Sequence, residues 1–573
     1  MIKRIILSIL FLISSSSIFA GHLFNVSATG PSGQLSLTLC LNGNAALSCQ
    51  NYTVSALTLN ITTVAANHTY PAVGIKINTP GFTPTGCTLN NNGYCLFSVS
   101  DKKIASLPII SQSCQGLAGQ IVFSPAVTYL NNPTSGSNPS QPFTITMTAC
   151  NSLGQPLTPS VSNPFNINVY GAATGLITPS ATTTSTGSVT LTYNGDSFPN
   201  NISINAWISD SSNNGAALGV TEVLKQNTPS SCSYGATSYQ VPLVGTLPDA
   251  LQVKADVGYD TSAPTTSLKT YTIDTGSLGV VVPLSDLPHN ANVIGPGAAG
   301  VKYYDSSGNT FSGHYYLAPV RVQLVDTTTV KTQPIMVLAI DKAYCTGPTT
   351  KACYSNPPQP TLRYLGVGFN RNSSTTNDLF NSPTANAFLH ITNVAHNGTD
   401  VTPGYIFTPN DSTALNEITL GMTTTTNYNL IHLTPNTSVP GDFNAQSGCF
   451  GFPDHAVPNQ FCGTALLDVG IDYMFIDLPK AEWPSGTYDS NDLVPAGVNM
   501  GILMGSVGSP ALSYGFTAVQ SNPPADTATP AKVQWIDTTN SGQIFVNTGR
   551  RPLYIYNYLY NGQCGEVGFK PLS

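Results

Sequence analysis

Polar and apolar residues alternate through much of the first 230 positions of the chain. Segments such as LSLTLCLNG, FTITMTAC and SVTLTYNG carry an apolar residue at about every second position, and Gly, Pro, Asn and Ser separate them. This period of two predicts strands with one buried face, and a series of short strands at such spacing is typical of a β-sandwich. We therefore predict two sandwich-like modules, at residues 21–110 and 111–230.

The pattern changes near residue 230. Beyond it, longer apolar runs lie next to Gly-containing turns, as in KTYTIDTGSLGVVVPL, PIMVLAID and FCGTALLDVGIDYMFIDLP. Runs of β-branched and aromatic residues punctuated by Gly are typical of buried strands. The pattern therefore predicts a mostly β protein, with residues 236–573 as its third and largest structural unit.

The first twenty residues follow neither pattern. Lys3 and Arg4 precede an apolar run over residues 5–19, which ends at the small residue Ala20. A basic start, a short apolar core and a small residue at the exit are typical of a secretory signal peptide, which we assign to residues 1–20. The mature protein is then expected to be secreted, either extracellular or periplasmic in transit. No other apolar run approaches about 18 residues, so no transmembrane segment is expected.

Composition narrows the function classes. Charged residues make up 8% of the chain, against about 25% in an average soluble protein, which disfavours helix bundles and coiled coils. The chain is 41% hydrophobic and contains 26 Tyr and 22 Phe, enough to build cores, so intrinsic disorder is disfavoured. The net charge is −7 without a basic run, so no nucleic-acid partner is expected. We expect a monomer.

Twelve cysteines in an exported chain indicate disulfides. Because short loops close at low entropic cost, pairing between sequential neighbours is the simplest connectivity, although the sequence does not determine it. The resulting candidates are Cys40 with Cys49, Cys87 with Cys95, Cys114 with Cys150, Cys345 with Cys353, Cys449 with Cys462, and Cys232 with Cys564.

Two Asp-x-Gly turns are the main candidates for chemistry. DTGS at 274–277 lies between the apolar runs YTI and LGVVVP, and DVGI at 468–471 follows another apolar strand 194 residues later. A single turn of this kind is common in β proteins. Two carboxylates that face each other at close range cannot both ionise, so Asp274 and Asp468 would share a proton. Such a pair can perform general acid–base hydrolysis without a covalent intermediate.

These turns and their neighbours resemble the pepsin-like aspartic proteases over about residues 236–573. FSGHYYLAPVRV is similar to the return strand of the family's flap, YLGVGF to the strand that supports the first catalytic loop, and EITLG to the strand that opens the second lobe. The resemblance implies a bilobal, pepsin-like β domain with lobes at about 236–415 and 416–573. It also implies an aspartic endopeptidase that hydrolyses peptide bonds with a two-Asp pair and a bound water.

The resemblance assigns roles to particular residues. It implies that Asp274 and Asp468 are catalytic and that Tyr304 is the flap tyrosine. Substrate-binding or supporting positions are Thr275, Gly276, Ser277, Tyr304 and Gly470. The implied partner is a peptide or protein, without a cofactor.

Three positions depart from the family pattern. Val469 has no hydroxyl, Ile471 replaces the Ser or Thr that would hydrogen-bond the second carboxylate, and Asp305 replaces the Gly after the flap tyrosine. We therefore expect less support for the ionised form of Asp468. These departures keep a second hypothesis open, a degenerate, bacterial-type member of the family that binds another protein or a glycan as an inhibitor or adhesin.

Other chemistries have little support. The chain has no GxSxG, HExxH or P-loop motif, and its closest histidines, His390 and His396, are six residues apart. Helical metal ligands would be four apart, so no metal site is expected. Residues 21–230 hold no convergent set of ionisable residues, and we expect a structural or adhesive role for them, with a role in folding as the alternative.

Overall fold

The computed structural model describes the backbone of eight strands between residues 22 and 112 and most of residues 114–572. The segments left out of the second range are 115–116, 131–139, 153–155, 171–175, 195–201, 211–214, 226–233, 305–307, 346–360, 372–378, 393–400, 410–415, 455–459, 522 and 525–526. The predicted signal peptide, residues 1–20, lies outside the described residues.

The described strands form seven sheets, which confirms the prediction of a mostly β protein. The first two sheets have four strands each: Thr58–Thr63, His22–Thr29, Ile104–Gln112 and Phe82–Pro84 in one, and Cys49–Val54, Leu35–Leu41, Val73–Ile77 and Cys95–Phe97 in the other. The next two have five strands each: Val127–Leu130, Gly215–Lys225, Ile202–Asp210, Phe165–Tyr170 and Ala181–Thr184, and Pro156–Leu157, Gln141–Cys150, Ser188–Tyr193, Ile177–Thr178 and Ile121–Ser124.

Three larger sheets follow. The ten-stranded sheet contains Ala299–Tyr304, Asn309–Ala318, Ile335–Cys345, Leu278–Pro283, Tyr364–Val367, Lys269–Asp274, Gln252–Val257, Val320–Gln323, Thr329–Thr332 and Ile391–Thr392. The six-stranded sheet contains Tyr239–Pro242, Glu417–Leu420, Gly404–Thr408, Tyr556–Asn561, Glu566–Pro571 and Asn429–His432. The seven-stranded sheet contains Ser509–Thr517, Asn499–Ser506, Ser447–Gly451, Phe461–Leu466, Phe545–Asn547, Met474–Leu478 and Val533–Asp537.

Helical structure in the described part of the chain is limited to short 3-10 turns. These are Thr265–Ser267, Leu284–Asp286, Pro383–Ala385, Ala387–Leu389, Lys480–Glu482 and Arg551–Tyr554. Nowhere in this part does a helix reach the length and apolarity needed to cross a membrane. The division of the chain into the predicted modules and lobes stays a prediction.

Two predicted disulfides are present, Cys114–Cys150 and Cys449–Cys462. Cys564 is also disulfide-bonded, and Cys40 lies directly opposite Cys49 in the register of neighbouring strands. No described cysteine is free. The pairings Cys87 with Cys95, Cys345 with Cys353 and Cys232 with Cys564 each involve a residue outside the described part. The confirmed bonds are consistent with an oxidising compartment.

One apolar core joins the three larger sheets. Its buried members come from all three, for example Val280 of the ten-stranded, Phe407 of the six-stranded and Ile476 of the seven-stranded sheet. Because this core is continuous, the turns that follow Lys269–Asp274 and Phe461–Leu466 are held in fixed positions relative to each other.

The strand Gly215–Lys225 packs against the ten-stranded sheet. Leu218 is fully buried in a cluster with Leu278 and Val281, and a Cβ on Gly297 would lie 2.6 Å from its Cδ1 atom. The Nδ2 of Asn205, on the adjacent strand, donates to the carbonyl of Pro334 at 2.8 Å. These contacts connect the third sheet directly to the sheet that carries Asp274.

Candidate functional site

The first Asp-x-Gly turn connects two strands that share a neighbour. Lys269–Asp274 pairs in parallel with Tyr364–Val367, with Asp274 opposite Gly366. Leu278–Pro283 pairs antiparallel with the same strand, with Gly279 opposite Gly366. A Cβ on Gly366 would lie 2.8 Å from the Ser277 Oγ and 2.7 Å from backbone atoms of Leu278. Only Gly leaves room for the turn to fold back at this point.

The second turn repeats this arrangement in the seven-stranded sheet. Phe461–Leu466 pairs in parallel with Phe545–Asn547, with Leu466 opposite Asn547. Met474–Leu478 pairs antiparallel with the same short strand, with Phe475 opposite Asn547. Leu466, opposite Asn547, lies two residues before Asp468. In the first turn, Thr272 lies two residues before Asp274 and is opposite Tyr364. Asn547 and Tyr364 therefore occupy equivalent positions in the two sheets.

The glycines of the two turns bring the carboxyl groups together. A Cβ on Gly276 would lie 2.6 Å from the Cγ of Asp468, and a Cβ on Gly470 would lie 2.5 Å from the Oδ1 of Asp274. Each glycine thus packs against the carboxyl group of the opposite turn. The Asp274 and Asp468 side chains are hydrogen-bonded to each other and are 6% and 7% exposed.

Each carboxyl group also accepts two hydrogen bonds from other groups. Asp274 accepts from the Gly276 N–H at 2.7 Å and from the Ser277 hydroxyl at 2.5 Å. Asp468 accepts from the Gly470 N–H at 2.9 Å on Oδ1, and from the Asn547 Nδ2 at 2.8 Å on Oδ2. The expected loss of support at Asp468 is therefore wrong, because an amide from another strand replaces the donor that Ile471 lacks.

Thr275 connects the two turns. Its hydroxyl donates to the Leu467 carbonyl at 2.6 Å and accepts from the Val469 N–H at 2.9 Å. Val469, at the equivalent position of the second turn, is fully buried and has no hydroxyl to return these bonds. The connection between the turns is one-sided, as the Val469 side chain predicts.

Electrostatics favour a proton on Asp274. Burial, then the charge of Asp468 and the hydrogen bond to it, raise the pKa of Asp274 to about 7, while the Ser277 and Gly276 donors act in the opposite direction. A carboxyl group with this pKa keeps its proton under acidic conditions. Together with a second, ionised carboxylate it forms the singly protonated pair that acid–base hydrolysis needs.

Two arginines lie close to the pair. Arg550 is buried and donates to the carbonyls of Val469, Gly470 and Pro248 at 2.9, 2.8 and 2.7 Å. The first two of these bonds stabilise the backbone of the second turn. Burial lowers the pKa of Arg371, and the negative charges of Asp468 and Asp274 oppose this shift. Sequence reasoning missed both arginines because neither is part of an Asp-x-Gly motif.

The hairpin predicted to be the flap is present as two paired strands. Ala299–Tyr304 pairs antiparallel with Asn309–Ala318, and Asp305 lies outside the described residues. The Tyr304 ring contacts that of Tyr364 at a centroid distance of 5.3 Å. Because Tyr364 lies on the strand next to Asp274, the end of this hairpin reaches the strand that flanks the first turn.

All seven predicted site residues are described, and six of them form one continuous cluster. The six residues contact one another through the bonds given above: Asp274, Thr275, Gly276, Ser277, Asp468 and Gly470. Tyr304 is connected to them through the Tyr364 strand.

Sequence reasoning missed Asn547. Its segment QIFVNTG ends in a Gly after an apolar strand, as YLG does at 364–366, and this likeness could have located the position. The described residues contain no cluster of His, Cys, Asp or Glu with the geometry of a metal site.

Comparisons with known proteins give distant structural matches only. No family model and no curated protein matches the chain. Among solved structures, an aspartic proteinase from Irpex lacteus is 15% identical, with a TM-score of 0.36, over 59% of this chain and 98% of that one. Basic 7S globulin from soybean is 12% identical, with a TM-score of 0.36, over 59% of this chain and 96% of that one. The structural neighbours thus include a proteinase and a globulin.

Proposed function

We propose that this protein is a secreted aspartic endopeptidase in which Asp274 and Asp468 form the acid–base pair. The observation that carries the proposal is the buried, hydrogen-bonded pair of carboxyl groups, each held by a backbone N–H and by one side-chain donor. A structural role alone does not explain the pair, because two buried carboxyl groups in contact cost folding free energy unless they share a proton.

The reaction uses the pair in its singly protonated state. The ionised carboxylate takes a proton from a water molecule, and the resulting hydroxide attacks the carbonyl carbon of the peptide bond. The protonated carboxyl group donates to the oxyanion that develops, and a proton then passes to the leaving nitrogen. The substrate is an extended peptide whose backbone groups pair with strand edges, with the hairpin of Tyr304 above it.

The pH dependence follows from the state of the pair. Activity requires one proton on it, and Asp274 loses its proton as the pH rises through about 7. Below the apparent pKa of the first ionisation of the pair both groups are protonated and no base remains. We therefore expect cleavage under acidic to weakly acidic conditions and a loss of activity above neutral pH.

Val469 favours a second candidate function. The one-sided connection between the turns leaves the second turn with fewer cross-links than a fully reciprocal pair would provide. In this alternative the protein binds another protein or a glycan and does not hydrolyse it. The two candidates differ in one observable, the cleavage of a peptide bond.

A cleavage assay with an unfolded protein substrate from about pH 3 to pH 7 tests the proposal. We expect acid-dependent cleavage that a statine-type inhibitor blocks and that an Asp274→Ala variant lacks. Asp326→Asn, in an exposed turn where the carboxylate accepts from the N–H and the hydroxyl of Thr328, is the matched control and should cleave like the parent. A well-folded parent that cleaves at no pH would refute the peptidase and favour the binding protein.

A further inference from the structure

Asn547 differs in kind from the donor that supports the first carboxyl group. Its Nδ2 donates to the Asp468 Oδ2 at 2.8 Å, and its Oδ1 accepts from the Gly549 N–H at 3.0 Å. A backbone N–H can only donate, so the Gly549 contact fixes the amide oxygen on its side and the amide nitrogen toward Asp468. Turning the amide over would replace both hydrogen bonds by repulsive contacts.

Ser277 has no such constraint. A hydroxyl group can donate to an ionised carboxylate or accept from a protonated one, so the Ser277 Oγ fits Asp274 in either state. Apart from the contact with Asp274, each oxygen of Asp468 accepts from a group that can only donate, the Gly470 N–H on Oδ1 and the Asn547 amide on Oδ2. A proton on the Asp468 Oδ2 would point at the N–H of Asn547.

The neighbouring positive charges add to this asymmetry. The charge of Asp468 acts on Arg371 more strongly than the charge of Asp274 does, and Asp468 also acts on Arg550. Positive charge near a carboxylate stabilises its ionised form. Hydrogen bonding and charge therefore agree on which member of the pair is ionised.

Resting on the proposed function, we propose that Asn547 is the positioning residue that keeps Asp468 ionised, so that Asp274 carries the shared proton before the reaction. Asp468 is then the base that takes the proton from water, and Asp274 is the acid that donates to the oxyanion. Asn547 performs from a separate strand the role that a hydroxyl at position 471 would perform from within the turn.

Three variants test the role of Asn547. Asn547→Ala removes the donor, and Asn547→Asp keeps an acceptor for the Gly549 N–H but replaces the donor to Asp468. The double variant Ile471→Ser with Asn547→Ala restores a hydroxyl three residues after Asp468, where Ser277 stands relative to Asp274. Asn205→Ala is the matched control, because this buried amide donates to Pro334 at 2.8 Å, away from the pair.

The first readout is the pH profile of kcat/KM with a peptide substrate. Losing one hydrogen bond to a charged group should move the acidic limb up by about one pH unit in Asn547→Ala. In Asn547→Asp, activity should fall further as the introduced carboxyl group ionises. The double variant should return the limb toward the parent, and Asn205→Ala should leave it in place. An unchanged limb in Asn547→Ala, or no recovery in a folded double variant, overturns the proposal.

The second readout does not depend on activity. A donor that favours an ionised carboxylate stabilises the fold above the carboxyl's unfolded pKa, and this contribution is lost as the pH falls. The melting-temperature difference between Asn547→Ala and the parent should therefore shrink from pH 6 to pH 3, while that of Asn205→Ala should stay constant. If the parent cleaves no substrate, the proposed function fails, and this measurement still decides whether Asn547 supports an ionised Asp468. A constant difference for Asn547→Ala overturns the inference.

Discussion

Replacing Asp274 by Asn should stabilise the protein increasingly as the pH rises from 4 to 7. In the folded state burial and the charge of Asp468 raise the pKa of Asp274 from 3.8 to about 7. Between these values the unfolded chain releases the proton while the folded protein keeps it, so the parent loses stability as the pH rises. A shift of about three units at about 1.4 kcal/mol per unit corresponds to roughly 4 kcal/mol. An amide cannot ionise, so the variant avoids this loss.

The assay is thermal unfolding of the parent and of Asp274→Asn at half-unit intervals from pH 4 to pH 7. A difference of about 4 kcal/mol corresponds to roughly 3–6 °C in midpoint temperature for a cooperative unit of about 340 to 570 residues. Burial and the charge of Asp442 also raise the pKa of Glu222 to about 7, but Glu222 is present in both proteins and cancels. Asp326→Asn is the control with the opposite sign, because hydrogen bonds from Thr328 lower the pKa of Asp326. A midpoint difference between parent and Asp274→Asn that stays constant from pH 4 to 7 would refute the reasoning.

Three further substitutions test the site itself and the packing of the sheets that hold it. Gly276→Ala should reduce kcat/KM by about 100-fold or more, because the added Cβ would lie 2.6 Å from the Asp468 Cγ and displace the carboxyl group. Arg321→Met should cost about 3–5 kcal/mol of unfolding free energy, since it leaves Asp256 buried without the guanidinium that bonds both its oxygens at 3.0 and 2.6 Å. Leu218→Ala should cost about 2–5 kcal/mol through the cavity left between Gly215–Lys225 and the ten-stranded sheet.

Each of these substitutions has a matched control. Gly508→Ala adds a methyl group where nothing lies within 4 Å and should leave kcat/KM unchanged. Lys480→Met removes an ion pair with Asp492 whose side chains are 51% and 45% exposed, and should cost about 1 kcal/mol or less by denaturant unfolding. Val161→Ala, at a site 92% exposed, should not change the melting temperature. Equal effects of a substitution and its control would contradict the corresponding prediction.

The sequence by itself determined the β class and the identity of the carboxyl pair. Alternation of period two is a local property of a strand, so FTITMTAC predicts its strand without knowledge of its neighbours, and it forms part of Gln141–Cys150. Each Asp-x-Gly turn likewise carries its own flanking strands, and for this reason Asp274 and Asp468 could be singled out together. Nearness along the chain made Cys114–Cys150 and Cys449–Cys462 the simplest pairings, and the structure confirmed both.

Only the tertiary structure decided what surrounds the pair. Around residue 471 the sequence shows the loss of a hydroxyl, whereas the amide that replaces it belongs to Asn547, 79 residues beyond Asp468. Strand register brings these two residues together, and register depends on the packing of a whole sheet. The same holds for Leu218, whose burial against Leu278 depends on how two sheets pack. Local pattern specifies the strands and turns, but contacts between distant strands arise only when a shared core fixes their relative positions.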